Sequence, residues 1–417
     1  MSSIFFSNKC AGRFFIGLSV IVASFGCATS ANKFYALNKD LVDIAQLPGS
    51  YCENIISNGW VYYAPFINWD TKDVCLLSSQ EVKKSGLLAR QNIITGVVQV
   101  LDLTKINPKL NSFVGIDSDD SGNVYMVTRD ESILVKVVVN ENIFHLSEIE
   151  TIKLSLPEEG FSTNVLFYKE YVYVSPMKHG LFLRVKANDF SSESVDIIDV
   201  SSIDSEATGY NGLCVDSNGF IWAAPSWNGK TRIGKVVRIN SSDFTINGTT
   251  IIDLSLINPK AKGYHGVCYC DGKVIFSPHY SDDEKFHGNI AIIDIDKPTI
   301  NGVVILDANT ENSSIGGMVN CERVGESVWF FPYMNNKDDQ NREDPDTIVI
   351  LDTKTLKQTY LNIAGTIKDA AAIFYDGAFD GRYMFLSPHK SFIDGKKCWD
   401  SRALKIDTTK MVKKMEK

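Results

Sequence analysis

A strand-rich unit that recurs seven times, a proline marking the end of the second strand in six copies, and two chain ends that each lack what the other holds predict an all-β fold. The fold is a seven-bladed β-propeller of four-stranded blades, completed by an N-terminal strand added to the last blade. A chain of 417 residues would make two or three domains by length alone, so the repeat decides the organisation.

The recurring unit is clearest in two places. Ile251 to Lys260 reads IIDLSLINPK and precedes Tyr264 to Pro278, YHGVCYCDGKVIFSP. Val100 to Lys109 reads VLDLTKINPK and precedes Phe113 to Asp117 and then Asn123 to Val127. Each unit has an apolar strand A after a small-residue turn, and a Gly- or Asp-containing turn into an aromatic-rich strand B. A strand C like Lys235 to Asn240 and a strand D like Thr249 to Leu254 complete it. β-Branched and aromatic runs bounded by Asn-Gly or Asp-Gly turns specify strands and hairpins, and no long stretch has helical periodicity.

Strand B ends at Pro65, Pro176, Pro225, Pro278, Pro332 and Pro388, with Thr128 in the second copy, at intervals of 63, 48, 49, 53, 54 and 56 residues. Proline has no amide donor and ends ladder pairing there. The blades are expected at 51–106, 111–156, 161–204, 209–257, 263–308, 314–363 and 369–408. The last copy has A (Ala370 to Phe374), B (Arg382 to Leu386) and C (Ala403 to Asp407) but no D, whereas Asp40 to Leu47 resembles a D strand with no A, B or C before it. Joining the two closes the ring and removes exposed sheet edges. Over residues 40–408 the chain thus resembles the seven-bladed β-propeller superfamily.

Outside the repeats, Lys9 and Arg13 precede an apolar run from Phe14 to about Ala28 and the small residues Ala28 to Ala31. Residues 1–31 therefore read as an export signal, with an uncleaved anchor as the alternative, and the run is short for a membrane span. Cys27 loosely resembles a lipoprotein acceptor, although Ser24 stands where such sites carry Leu. The expected location is secreted or cell envelope. Residues 409–417 form a short basic tail. Removing 1–31 takes Cys10 and Cys27 from the nine cysteines and leaves seven, an odd number, which read mostly as small core residues with at most one loop-borne disulfide. Sequons stand at Asn240, Asn247 and Asn312. A net charge of −8 argues against a phosphate-tracking surface, so nucleic acid is excluded as a partner.

In this architecture A lines the axis, and A starts and B ends open onto one face. The ligand-binding residues expected at that channel mouth are Asn164, Tyr210, Asn211, Trp227, Tyr264, His279, Tyr333 and His389. If a metal is held, its expected ligands are Glu53, Asn211, His265 and Asp369, because imidazole, amide and carboxylate groups suit a divalent cation with a bound water. Glu53 in Cys52-Glu53-Asn54 and Asn211 in Tyr210-Asn211-Gly212-Leu213 resemble metal-binding positions of gluconolactonase-like propellers. That resemblance implies metal-dependent lactone or ester hydrolysis, with Asn164 among the ligands. Asn before Gly also serves a tight turn for backbone reasons alone.

The B-to-C connections on this face are long. Phe66 to Asp73, His279 to Gly288, Tyr333 to Asp346 and His389 to Asp400 include acidic runs without EF-hand spacing, and Trp69, Trp227 and Trp399 lie in or near them. No Gly-x-Ser-x-Gly elbow, His-Glu-x-x-His or phosphate-binding glycine loop occurs. The reading is an exported, monomeric binding module presenting one loop-rich face to a protein or glycan, with the metal-dependent hydrolase as its rival.

Overall fold

The computed structural model describes residues 34–36, 41–68, 83–139, 144–157, 161–279, 287–308, 315, 317–334, 347–363, 371–393, 396–399 and 401–415. The export segment, Trp69, Asp369 and most of the acidic loop residues lie outside these. Among the described residues no helix is long and apolar enough to cross a membrane.

The chain is a seven-bladed β-propeller. Seven sheets each carry four antiparallel strands in the order A-B-C-D, and the innermost A strands are Gly49–Ser57, Phe113–Ser118, Phe161–Tyr168, Tyr210–Val215, Tyr264–Cys270, Gly317–Val324 and Ala371–Phe379. In the last sheet the D position is taken by Val42–Gln46, which pairs antiparallel with Arg402–Asp407 so that Val42 opposes Ile406 and Gln46 opposes Arg402. The sixth sheet gains a fifth strand that the repeat does not announce: Phe34–Ala36 runs parallel to Gln358–Asn362. Residues 408–415, in the expected tail, form a helix instead. Asp407 starts it, accepting hydrogen bonds from Thr409 Oγ1 at 2.7 Å and Lys410 N at 3.4 Å, and Met411 is buried against the last two blades.

Local chemistry explains why the repeat keeps its shape. After the D strands, Asp102, Asp199 and Asp253 each accept a hydrogen bond from the backbone N–H two residues on, starting a short 3-10 turn. In the A-to-B turn, Asp216 accepts from Phe220 N and from Trp222 Nε1 at 2.8 Å, and Asp119 accepts from Asn123 N and Tyr125 Oη at 2.9 Å. One short acidic side chain thus fixes each turn and holds the ring that follows it.

Seven apolar clusters fill the spaces between successive sheets, including one that joins Tyr51, Val61 and Tyr63 of the first blade to Phe385 and Ala403 of the last. Cys52, Cys214, Cys268, Cys270 and Cys321 are buried as small core residues, and none of the five forms a disulfide.

Near the axis the A strands approach backbone to backbone. A Cβ on Gly115 would stand 2.6 Å from Asn164 Cα, one on Gly266 2.7 Å from Asn320 Cα, and one on Gly212 2.8 Å from the His265 carbonyl oxygen. Gly115→Ala is therefore expected to destabilise the fold by about 1–3 kcal/mol through overpacking against an unyielding backbone. Chemical denaturation checks this as a lower midpoint with unchanged slope; an unchanged midpoint would mean that neighbouring inner strands separate freely.

Candidate functional site

All seven A-B pairs lose register on the A strand at the same level: after Tyr51, Phe113, Ser162, Tyr210, Tyr264, Met318 and Phe374. A bulge adds a residue to one strand and re-aims the side chains that follow. The side chain before the shift is buried in every blade, at 1 % exposure or less. Side chains inside or just beyond the shift face the axis, and they divide into two levels.

The upper level is a cavity of about 500 Å³, lined from the A strands by Cys52, Val114, Thr163, Asn211, His265 and Tyr375. The B ends and following loops add Phe66, Arg129, Met177, Lys178, Ser226, Trp227, Arg232 and His279. Of the residues expected at the mouth, Asn211, Trp227 and His279 line it. Tyr333 and His389 stand immediately behind, their rings 6.3 Å apart and each packed on Tyr375. Tyr210 and Tyr264 do not line it. They precede the bulge, so their rings enter the blade cores against Phe182 and Phe276.

The electrostatics follow from burial. Tyr375 Oη lies 2.7 Å from His265 Nε2, and the His265 and His279 rings are 5.3 Å apart. Burial, reinforced by the nearby Arg232 charge, lowers His265 to about 3 and holds His279 well below the ordinary imidazole range. Burial also raises Tyr375. At neutral pH the phenol keeps its proton and the His265 ring is neutral, and buried His265 Nδ1 has no hydrogen-bond partner among the described residues. Lys178 and Arg232 stand 5.3 and 5.7 Å from the Trp227 ring centroid, and Arg129 stands 5.9 Å from that of Phe66. Among the described residues lining this cavity none carries a carboxylate.

The lower level is a chamber of about 330 Å³ farther along the A strands, with the opposite character. Glu53, Asp117, Glu322 and Asp376 line it with Asn54, Asn164 and Asn320, and no described lining residue is basic. Asn164 Nδ2 donates to Glu53 Oε1 at 2.7 Å, Phe167 N to Asp117 Oδ2 at 2.6 Å and Asn54 N to Asp376 Oδ2 at 3.2 Å. The expected metal quartet is therefore not one ring. Glu53 belongs to the chamber, Asn211 and His265 to the cavity, and Asp369 lies outside the described residues. Asn164, expected at the mouth, is also in the chamber, because the bulge turns it down the axis. Among the described residues no three His, Cys, Asp or Glu side chains are grouped to hold a metal ion.

Sequence reasoning did not single out Tyr375, Arg232 or Lys178. Lys178 could have been found, since it follows Met177 at a B end. Tyr375 faces the cavity only because of the bulge, and Arg232 arrives on a B-to-C loop.

No family model matches the chain, and no curated protein matches it in sequence. Solved structures do match. Virginiamycin B lyase from Staphylococcus aureus superposes with TM-score 0.60 at 13 % identity, over 88 % of this chain and 98 % of that one. A YCF48 structure with bound D1 peptide gives 0.55 at 12 %, over 91 % and 99 %. The extracellular domain of BT4673 from B. thetaiotaomicron gives 0.52 at 12 %, over 85 % of this chain and 40 % of that one. The likeness is one of fold.

The buried carboxyls of the chamber give the protein a pH signature. Burial raises Asp117 to about 6 and Asp376 to about 7, and burial together with the Asp376 charge raises Glu322 to about 8 and Glu53 well above its usual range. Unfolded carboxyls titrate near pH 4, so above that the folded chain holds the extra protons and its stability declines as pH rises through the folded values. The melting temperature is expected to fall from about pH 5 to about pH 8. Asp376→Asn should flatten that decline in a thermal-shift series; an equally steep decline in the variant would remove the chamber as its cause.

Proposed function

We propose that the chain is an exported binding propeller whose upper cavity captures an acidic glycan through a carboxylate-bearing sugar. One observation carries this reading: Arg129, Lys178 and Arg232 line a cavity that has aromatic walls and no described carboxylate, in a chain of net charge −8. Guanidinium groups take a carboxylate through paired, charge-assisted hydrogen bonds, and the flat faces of Trp227 and Phe66 suit the apolar face of a pyranose ring. The neutral histidines add hydrogen-bond capacity without a carboxylate's repulsion, and buried His265 Nδ1 has no hydrogen-bond partner among the described residues. Export follows from reading residues 1–31 as a signal.

Calorimetric titration of the full chain with uronic-acid oligosaccharides and neutral oligosaccharides of equal length tests this. Binding is expected for the acidic series alone, weakened by salt and reduced roughly ten- to a hundredfold in Arg232→Ala. Equal affinity for neutral chains, or binding confined to acidic peptides, would overturn the glycan assignment.

A further inference from the structure

The upper cavity has a neighbour on the same face, and the two share a side chain. A pocket of about 140 Å³ lies beside the fourth blade, and Arg232 lines both it and the cavity. Its walls come from connections that open upward. The B-to-C turn of the fourth blade gives Asn228 and Thr231, and the links into the fourth and fifth A strands give Glu206, Ser255 and Lys262. The shared turn is held by its own backbone: Trp227 bridges to Arg232, and Asn228 Oδ1 accepts from Lys230 N at 2.9 Å and Thr231 N at 2.8 Å. Beneath it, a Cβ on Gly209 would stand 2.0 Å from the Trp227 carbonyl oxygen. One fixed turn thus gives Trp227 to the cavity and Thr231 to the pocket, with Arg232 between them.

The two compartments differ in charge. In the cavity, Lys178 and Arg232 flank Trp227 and no described lining residue is a carboxylate, so the anionic group of a ligand seats beside that indole. In the pocket the signs are balanced. Lys235 is paired with Asp204 and, at 3.1 Å, with Glu206, and Asp253 lines the same wall. A second carboxylate entering there would meet Glu206 and Asp253, while the charge of Lys235 is already answered. A hydroxyl or amide meets no such repulsion, because it donates to carboxylates and accepts from ammonium groups such as that of Lys262. No described residue lining the pocket is aromatic, so it suits the hydroxyl edge of a sugar ring and not its face.

We infer that this pocket is a second subsite, which takes a neutral sugar joined to the uronate held in the cavity, so that the ligand is a mixed acidic and neutral glycan and not a polyuronate. The inference rests on the glycan reading of the cavity. The linkage between the two units crosses Arg232, the side chain common to both compartments. A volume of about 140 Å³ is the space of about five waters at roughly 30 Å³ each, which the hydroxyls of one sugar edge replace in kind.

The experiment titrates the full chain by calorimetry at fixed neutral pH and low salt. The probes are a methyl uronoside, disaccharides that carry an N-acetylhexosamine on the reducing or the non-reducing side of the same uronate, and the corresponding diuronate, in glucuronate and galacturonate series. At least one mixed disaccharide is expected to bind about tenfold tighter than the methyl uronoside, the worth of one or two net hydrogen bonds, and the diuronate is expected to show no such gain. Thr231→Trp, at an exposed position that lines the pocket and not the cavity, should remove the gain and leave affinity for the methyl uronoside unchanged. Lys262→Ala should reduce the gain, and decides alone if Thr231→Trp fails to fold. A diuronate that gains as much as the mixed disaccharides overturns the inference, as does a gain that persists in both variants. Binding of the methyl uronoside with no gain for any disaccharide removes the subsite alone. Absence of binding by every acidic probe removes the glycan reading and the subsite with it.

Discussion

The close approach of inner strands at the axis is the constraint on which the rest of this molecule depends. Seven A strands converge where Cβ atoms have little room, and at Gly115, Gly212 and Gly266 there is none. Strands this close cannot continue a simple in-out alternation, because large side chains on both faces would collide. The structure relieves the crowding with a bulge in each A-B pair, placed after a residue whose side chain fills the blade core. Core and site are two results of one backbone irregularity.

From the bulge follows a vertical division of chemistry. Residues at the shift open upward into a cavity with three cations, and residues just past it open into a chamber with four carboxyls. Each level is stacked from side chains of several blades, so no single blade contains a site. Burial, reinforced by the Arg232 charge, keeps the upper histidines neutral, while burial and mutual repulsion keep protons on the lower acids. Opposite fields at two depths of one axis mean that a ligand suited to one level is disfavoured at the other.

The blades were legible in the sequence because periodicity at a blade's length leaves marks that need no knowledge of packing. The expected 209–257 contains strands from Tyr210 to Asp253, and the expected 263–308 contains strands from Tyr264 to Asp307. The N-terminal D strand was legible for the same reason, and Val42 opposes Ile406. The site was only partly legible. Residues after the B-strand mark, such as Arg129, Ser226 and His279, line the cavity because the mark fixes their height. A-strand positions were misjudged where the bulge intervenes: Tyr210 and Tyr264 turn into the core, and Glu53 and Asn164 turn one level down. A bulge leaves no periodic mark of its own, so alternation counted from the strand start gives the wrong face.

The same argument explains why Tyr375 carries more of the site than its sequence context suggests. It sits between Phe374, buried before the shift, and Asp376, which faces the chamber, so three consecutive residues serve the core, the cavity and the acid cluster. Its hydroxyl reaches across the axis to His265, a residue of the fifth blade 110 positions away. A contact of this kind ties the tautomer of a histidine on one blade to the bulge geometry of another. Changes in the spacing between the last blade and the fifth would therefore register first as a change in what the upper cavity can donate.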